Sequence, residues 1–246
     1  MTIISQKQKI EEAVNLIKNG NHVVAFTGAG ISTDSGIPDV DGIINILDND
    51  PDFIGDPFTF SSSRYAINHT DEFYKLYRQT FFQENAKPNY THKFLADLEA
   101  DGILDGIATM NIDWLHKMAG SKNVFEYWGN IRKNRCTGCH KLYDWYILKK
   151  EEIPRCDECG SIIIPEFIMK NLATYPDQVK QGTDLINQAD VLLILGTKRG
   201  PSSFPRHIKK IIVNNETIND TSKDDIYIKG DSDRVFKEMM SQFDYL

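Results

Sequence analysis

The sequence predicts a doubly wound parallel α/β sheet with a smaller second domain, on three observations. Short apolar runs with the length of buried strands alternate with amphipathic helical segments along most of the 246 residues. The first of these runs ends in a glycine-rich turn, and four cysteines stand in two closely spaced pairs. With 41% hydrophobic and 26% charged residues, the chain can bury a full core as one large domain with a small insert.

Charge and hydropathy exclude several classes of partner. The formal net charge of −7 and the pI near 5.4 argue against DNA or an anionic membrane, because binding these needs clustered Lys and Arg. The sequence contains no run of eighteen apolar residues and no charged-then-apolar signal segment at its N-terminus. We therefore expect a cytoplasmic protein with no nucleic-acid or membrane partner.

The N-terminal elements have clear signals. Ser5 and Gln8 have the spacing of a capping box, and apolar residues on one helical face follow before Gly20 ends the helix. The apolar run 23–27 then predicts a buried parallel strand. It ends in the turn 28–30, which we expect to lead into a helix N-terminus that binds a pyrophosphate, since glycine lets backbone N–H groups approach closely. A Gly-x-Gly turn also occurs without any ligand.

The next part of the chain is interpreted as a long loop followed by helices. Residues 41–70 lose periodicity and gather Asp, Pro, Gly and three consecutive serines, so we expect a functional loop such as a cofactor lid. A helical pattern resumes over 71–83, and a further helix begins after Pro88 and ends at Gly102. We interpret His92, in its first turn, as a hydrogen-bonded scaffold residue in preference to a catalyst.

Further buried runs predict the rest of the sheet. The run 103–109 predicts a second strand, and the tripeptide 111–113 follows its carboxyl end. Because ligands lie outside the carboxyl ends of strands in such sheets, this tripeptide should face the same crevice as the turn at 28–32. A short apolar run covers 124–129. Later strands are predicted at 190–197, 209–214 and 224–228, with helices at 183–189 and 232–243.

The cysteines predict a metal site. They form two C-x2-C pairs separated by sixteen residues: Cys136, Cys139, Cys156 and Cys159. This spacing lets four thiolates close a tetrahedron around Zn²⁺. Disulfides are disfavoured without a secretion signal, and a catalytic thiolate does not need three matched partners. Four protein ligands leave no position for water, so we expect a structural zinc that stabilises a small ribbon over residues 131–167.

The glycine turn and the residues after it resemble the signature of the sirtuin family, enzymes that cleave nicotinamide from NAD. The residues that match are Gly-Ala-Gly-Ile-Ser at 28–32 and Ser-Gly-Ile-Pro-Asp at 35–39. The resemblance covers nearly the whole chain, through Pro88-Asn89 with His92, the segment 109–116, the four cysteines, Gly196-Thr197, Val213-Asn214 and Gly230. Ten fixed residues in this order make the signature specific.

The resemblance implies a domain organisation and partners. It implies a Rossmann-like NAD-binding domain and a small domain that combines a cofactor loop, a helical segment and the zinc ribbon. The Rossmann-like domain would comprise residues 1–45, 86–130 and 168–246, and the small domain 46–85 and 131–167. In sirtuins, NAD and an acyl-lysine peptide bind in the cleft between the two domains, so NAD and a protein substrate are the implied partners.

Roles for individual residues follow from the same resemblance. It places Ser32, Asn111 and Asp113 around the nicotinamide and its ribose, and a carboxylate such as Asp113 can accept a hydrogen bond from the carboxamide. The implied remainder of the NAD site is Gly28, Ala29, Gly30, Ile31, Asp39, Met110, Ile112, Gly196, Thr197, Lys198, Asn214, Asp231 and Ser232.

Four positions depart from the sirtuin pattern. Met110 replaces a glutamine, Val40 and Asp41 replace Phe-Arg, and the segment 170–172 replaces Phe-Gly-Glu. Trp128 stands where the family has its catalytic histidine. In the family reaction that histidine is the base that lets a ribose hydroxyl attack, whereas an indole N–H can only donate.

Two cations follow the strand that ends at Gly196, at positions where the family continues with serine. Lys198 and Arg199 are either solvated loop residues or groups that face the cofactor. In the second case, one of them replaces the positive charge that is missing because Asp41 stands in place of the family's arginine, or it binds a 2′-phosphate. Binding of a 2′-phosphate would favour NADP.

Three functions compete. The first is an enzyme that cleaves nicotinamide from NAD and transfers ADP-ribose to a protein or water, which we favour because Ser32, Asn111 and Asp113 persist while the base does not. The second is a protein deacylase with residual activity, and the third is a non-catalytic module that binds NAD or ADP-ribose. We group Trp128, at the position of the family's histidine, with Ser32, Asn111 and Asp113 as the predicted catalytic residues.

Overall fold

The computed structural model of the protein describes residues 5–245. Its α-helices are α1 (Gln6–Lys18), α2 (Val40–Asp48), α3 (Pro57–Phe60), α4 (Ser63–Asn68), α5 (Thr70–Thr80), α6 (Tyr90–Ala100), α7 (Leu115–Ala119), α8 (Ile147–Lys150), α9 (Glu166–Met169), α10 (Pro176–Gln188) and α11 (Ser232–Ser241). Its strands are β1 (Val23–Thr27), β2 (Leu104–Thr109), β3 (Val124–Glu126), β4 (Lys133–Cys136), β5 (Leu142–Asp144), β6 (Ile163–Pro165), β7 (Val191–Leu195), β8 (Lys209–Asn214) and β9 (Ile226–Lys229).

Six strands form one parallel sheet in the order β3-β2-β1-β7-β8-β9. The strand order reverses between β1 and β7, so the loops after these two strands leave in opposite directions and open a crevice at their carboxyl ends. The predicted doubly wound parallel sheet is confirmed. The run 124–129 contributes only three residues to it, as the edge strand β3.

The sheet is buried on both faces, which explains its continuous apolar runs. All five residues of β1 are buried. Val23 and Ala25 pack in a core with α1, α6 and α11, whereas Val24 and Phe26 pack on the opposite face with α10. Alternate residues of a strand point to opposite faces, so a strand between two helical layers must be apolar throughout.

A smaller antiparallel sheet, with strand order β5-β4-β6, carries the cysteines. Beside it, α3, α4 and α5 bury an aromatic cluster that includes Phe60, Phe73, Tyr74 and Tyr77. Ile164 and Phe167, at the end of the predicted ribbon, join the same cluster. The division of the chain into a Rossmann-like domain and a small domain stays a prediction.

The expectation of a long loop at residues 41–70 was wrong. Most of this segment is helical, in α2, α3 and α4. Each helix has a side-chain N-cap: Asp39 accepts from the Gly42 amide, Asp56 from that of Phe58, and Ser62 from that of Tyr65. Helices of four to nine residues show too few turns for a periodic pattern, so burial in the aromatic cluster determines them.

Other elements lie close to their predicted positions. The capping box of Ser5 and Gln8 is present, and α1 ends at Lys18 with Asn19 as its C-cap, just before the expected glycine. The turn after β1 does not open into an α-helix, because residues 29–31 and 33–35 form single 3₁₀ turns. Helix α10 begins at Pro176, earlier than the predicted 183. No helix within residues 5–245 is long and apolar enough to cross a membrane.

Candidate functional site

The crevice at the carboxyl ends of β1, β2, β7 and β8 contains a cavity of about 500 Å³. Nineteen residues from segments that are distant in sequence meet there, and most of the predicted cofactor residues are among them. The lining comprises Gly28, Ala29, Gly30, Thr33, Asp39, Val40, Met110, Asn111, Trp128, Gly196, Thr197, Lys198, Arg199, Val213, Asn214, Asn215, Glu216, Gly230 and Ser232.

The glycines of the first turn are required by a close crossing of two loops. A Cβ on Gly30 would lie 2.9 Å from the carbonyl oxygen of Gly196, and one on Gly28 would lie 2.8 Å from Cβ of Thr197. The Gly30 amide also donates to the Gly196 carbonyl at 2.8 Å. Gly196 itself has φ +55°, in the left-handed region, where glycine is favoured. Packing between the β1 and β7 loops is therefore sufficient to explain these glycines.

Ser32, Asn111 and Asp113 form one buried hydrogen-bonded group. Ser32 Oγ donates to Asp113 Oδ2 at 2.7 Å, and Asn111 Nδ2 lies 3.3 Å from Ser32 Oγ and 3.2 Å from the Gly28 carbonyl. The Leu115 amide donates to Asp113 Oδ1 at 2.8 Å. Burial raises the pKa of Asp113, although both hydrogen bonds act to lower it. Asn111 Oδ1 is buried without a hydrogen-bond partner among residues 5–245.

This group leaves acceptors for a ligand. The Asn111 amide nitrogen is already engaged by the protein, so the side-chain atom that can still bond is an oxygen. Each carboxylate oxygen of Asp113 can accept a further hydrogen bond besides the one it has. Asn111 lines the cavity, while Ser32 and Asp113 lie behind it.

Trp128 lies in the cavity wall within a tight turn after β3. The Gly129 amide donates to the Glu126 carbonyl at 3.1 Å, and Gly129 has φ +76°. The ring of Tyr175 packs against this glycine, so that a Cβ there would lie 2.7 Å from Cε2 of Tyr175. The turn holds the indole in the cavity wall, to which the side chain of Met110 also contributes.

Glu126, at the start of the same turn, is a largely buried carboxyl. Its Oε2 accepts a hydrogen bond from Asn130 Nδ2 at 2.6 Å. Burial nevertheless raises the pKa of Glu126 from 4.5 to about 7. A raised pKa favours folding when the group is protonated, so this contribution is complete below pH 4.5 and is lost as the pH rises through 7.

Glu126→Gln is therefore expected to stabilise the protein at high pH. Glutamine can accept the same hydrogen bond without a charge, so at pH 8 the variant should exceed the parent in unfolding free energy by up to about 3 kcal/mol. The difference should shrink toward zero near pH 4.5. Urea unfolding at both pH values measures it, with Glu238→Gln, at an exposed helix position, as the control. A difference that does not change with pH would contradict the expectation.

The two cations after β7 have partners in the protein. Lys198 Nζ donates to Asp41, and its distance to Glu216 is 4.0 Å. The Arg199 guanidinium lies 4.8 Å from the ring centroid of Phe204, and its Nε donates to Ser203 Oγ at 3.0 Å. Lys198 thus compensates the negative charge of Asp41 across the rim of the cavity.

Several predicted residues lie outside the cavity wall. Ile31 is buried in the core, Ile112 packs against the aromatic cluster, and Asp231 caps α11 by accepting from the Arg234 amide at 2.9 Å. Sequence reasoning missed Thr33, Asn215 and Glu216 as lining residues. Glu216 had a usable signal, because an acidic residue just beyond the carboxyl end of a parallel strand is typical of ribose recognition.

The four cysteine sulfurs come together as predicted. All four Sγ atoms lie within 4.8 Å of one another, with 3.4 Å between Cys136 and Cys159 and 3.5 Å between Cys139 and Cys156. A tetrahedron with Zn–S bonds of about 2.3 Å has edges of about 3.8 Å. The cluster therefore has the size and the ligand chemistry of a structural zinc site.

Comparison with known proteins relates this fold and site to one family. The sequence profile described as Sir2 family matches residues 28–200. The chain is 38% identical over 190 residues to an NAD-dependent protein deacetylase of Clostridium perfringens, which covers 77% of this chain and 78% of that protein. It is 32% identical over 248 residues to an NAD-dependent protein deacylase of Thermococcus sibiricus, which covers 94% and 95%.

Solved structures show the same similarity. A structure concerned with sirtuin substrate affinity superposes with a TM-score of 0.81 at 28% identity, covering 98% of this chain and 99% of that one. A Sir2 protein solved with a p53 peptide and NAD+ gives a TM-score of 0.77 at 28% identity, covering 96% and 99%.

Proposed function

The chain belongs to the Sir2 family, and from this premise we propose that it binds NAD in the cavity, cleaves nicotinamide from it and transfers ADP-ribose to a protein or to water. The observation that carries the proposal is the contrast within one site. The group of Ser32, Asn111 and Asp113 is intact and hydrogen-bonded, whereas Trp128 occupies the wall where the sirtuin pattern has a base. Cleavage of NAD needs positioning and polar groups, whereas deacylation also needs a base, so the contrast supports the first reaction.

The residues of the cavity fit a dinucleotide. Loops from four strand ends converge on a space bounded by the backbone of the glycine turn, where a pyrophosphate would find N–H donors. Glu216 lines the far end, and a carboxylate there accepts from ribose hydroxyls and repels a 2′-phosphate. This supports NAD over NADP. The pairing of Lys198 with Asp41 supports the same preference, because Lys198 is the residue considered above as a partner for a 2′-phosphate.

The side chains around the reacting bond act by position and polarity. Asp113 would accept from the carboxamide of nicotinamide and hold that ring in place. Asn111 Oδ1, which lacks a partner in the described chain, would accept from a ribose hydroxyl or a water. The apolar Trp128 and Met110 would exclude bulk water on one side, which strengthens the electrostatic effect of the two polar groups. When bound, NAD would supply the ribose–nicotinamide bond that breaks, and the positively charged nicotinamide ring would leave as neutral nicotinamide.

Protein deacylation is the second candidate, because the relatives compared above are named deacetylases or deacylases. Nicotinamide release from NAD, measured with and without an acetyl-lysine peptide, separates the candidates. We expect release without the peptide. Release that depends strictly on the peptide would favour a deacylase, and NAD binding without release would indicate a non-catalytic module.

Asp113→Asn is the variant that links this activity to the site. The amide keeps the size of the side chain but offers one acceptor oxygen where the carboxylate has two, so we expect nicotinamide release to fall about a hundredfold. Asp184→Asn, which removes an exposed carboxylate on α10, is the matched control. Equal rates for the two variants would contradict the role proposed for Asp113.

A further inference from the structure

A line of buried side chains connects helix α7 to Asn111. Thr27 and Thr109 are the last residues of β1 and β2 and lie side by side in the sheet. Thr27 Oγ1 donates to Thr109 Oγ1 at 2.7 Å, and His116 Nε2 lies 2.9 Å from the same Thr27 oxygen. The Asn111 backbone amide donates to Thr109 Oγ1 at 3.0 Å. All four side chains are at least nine-tenths buried.

The positions of the hydrogens define the tautomer of His116. A hydroxyl has one hydrogen, and that of Thr27 is given to Thr109. The contact with His116 must therefore be a hydrogen bond from Nε2–H to the Thr27 oxygen. Burial lowers the pKa of His116 to about 3, so the ring is neutral and Nδ1 carries no proton.

A second buried histidine faces His116. The rings of His92 and His116 have centroids 5.0 Å apart. The Asn89 side-chain nitrogen donates to the Ile31 carbonyl at 2.7 Å, so its oxygen is the atom 2.8 Å from His92 Nδ1, which must donate. His92 Nε2 and His116 Nδ1 are both left without partners among the described residues. Burial and the neighbouring His116 hold the pKa of His92 well below its usual range.

We propose that His116 is a positioning residue for Asn111 and acts through the hydroxyls of Thr27 and Thr109. The His116 N–H fixes the Thr27 oxygen, so that the Thr27 hydrogen points to Thr109. The Thr109 oxygen in turn holds the Asn111 amide, which sets the loop between β2 and α7. Asn111 then keeps its side-chain nitrogen on Gly28 and Ser32 and leaves Oδ1 available. The kinetic tests of this inference rest on the proposed function. The order of the hydrogen bonds from His116 to Asn111 does not depend on it.

Replacement of Thr109 tests the relay by kinetics. Thr109→Val has nearly the same shape but cannot accept from the Asn111 amide or from Thr27, whereas Thr109→Ser can do both. We expect kcat for nicotinamide release to fall about 10- to 100-fold in Thr109→Val with KM for NAD changed less than about threefold, because a misplacement of about 1 Å has effects of this size. Thr109→Ser should recover most of the rate.

A control variant measures the general effect of removing a buried hydroxyl group. Thr80, in α5, is fully buried and donates only to the Leu76 carbonyl of its own helix. Thr80→Val should lower stability without changing the ratio of kcat to KM for NAD cleavage. If Thr109→Val and Thr109→Ser release nicotinamide at the same rate, the positioning role is refuted.

Nuclear magnetic resonance of the histidine ring nitrogens tests the relay without any activity. We expect His116 to carry its proton on Nε2 and His92 to carry its proton on Nδ1, both neutral at pH 7. The Asn111 amide resonance should shift in Thr109→Val and stay near its original position in Thr109→Ser. A proton on His116 Nδ1 would overturn the inference. Should the protein release no nicotinamide, the proposed function fails and these resonances alone decide on the relay.

Discussion

Removal of zinc is expected to unfold the ribbon of residues 131–167 while the parallel sheet stays folded. Among the described residues, the apolar cluster around the cysteines is small: Ile163, Tyr143 and Ile147 pack with Cys136 and Cys156, whereas Ile164 and Phe167 of the ribbon pack in the aromatic cluster. A unit of this size does not bury enough apolar surface to be stable alone, so binding of the metal supplies its folding free energy. The parallel sheet has a separate and much larger core, shared among helices on both faces.

Elemental analysis and hydrogen exchange measure this effect. Protein purified without chelators should contain about one zinc per chain, and Cys159→Ser should contain much less. After treatment with a chelator, amides of β4 and β6 should exchange rapidly, whereas those of β1 and β7 remain protected. Lys150→Ser, at an exposed position of α8 within the same ribbon, is the control. Absence of zinc from the purified protein, or full protection of the ribbon in its absence, would contradict the prediction.

The elements that could be predicted from the sequence are those with a local physical cause. The capping box of Ser5, the continuous apolar run of β1 and the cysteine spacing each encode their structure within a few residues. Parallel strands between two helical layers are mostly apolar on both faces, so their sequences form short apolar runs that can be recognised. The register of Thr27 with Thr109 follows from neither run alone and appears only in the folded sheet.

The elements that could not be predicted depend on contacts between distant segments. Helices α3 and α4 are only four and six residues long, and they form because Phe60 packs against Tyr65 of α4 and Phe73 of α5. From the sequence, Gly28 and Gly30 are explained by phosphate binding. In the structure, the loop after β7 crosses so close to both residues that it leaves no room for a Cβ at either position. The pairing of Lys198 with Asp41 joins residues 157 positions apart, beyond any local pattern.

The second large expected effect is slow deacetylation, caused by Trp128. The unmodified protein is expected to deacetylate an acetyl-lysine peptide at least about a hundredfold more slowly than a Sir2 relative that keeps the histidine, assayed in parallel. Loss of a positioned general base costs a factor of about 10² to 10⁴, or roughly 3–5 kcal/mol of barrier. The indole N–H cannot accept a proton, and the turn held by Gly129 and Tyr175 keeps the ring in the cavity wall.

Two variants at this position separate the missing base from the bulk of the ring. Trp128→His returns a base and should raise deacetylation at least about tenfold, short of full recovery because Met110 and the segment 170–172 also differ from the sirtuin pattern. Trp128→Phe removes bulk and the N–H without adding a base, so it should stay as slow as the parent. A gain in Trp128→Phe equal to that in Trp128→His would mean that space in the cavity limits the reaction. Robust deacetylation by the unmodified protein would refute the prediction and would require a base from another residue of the site.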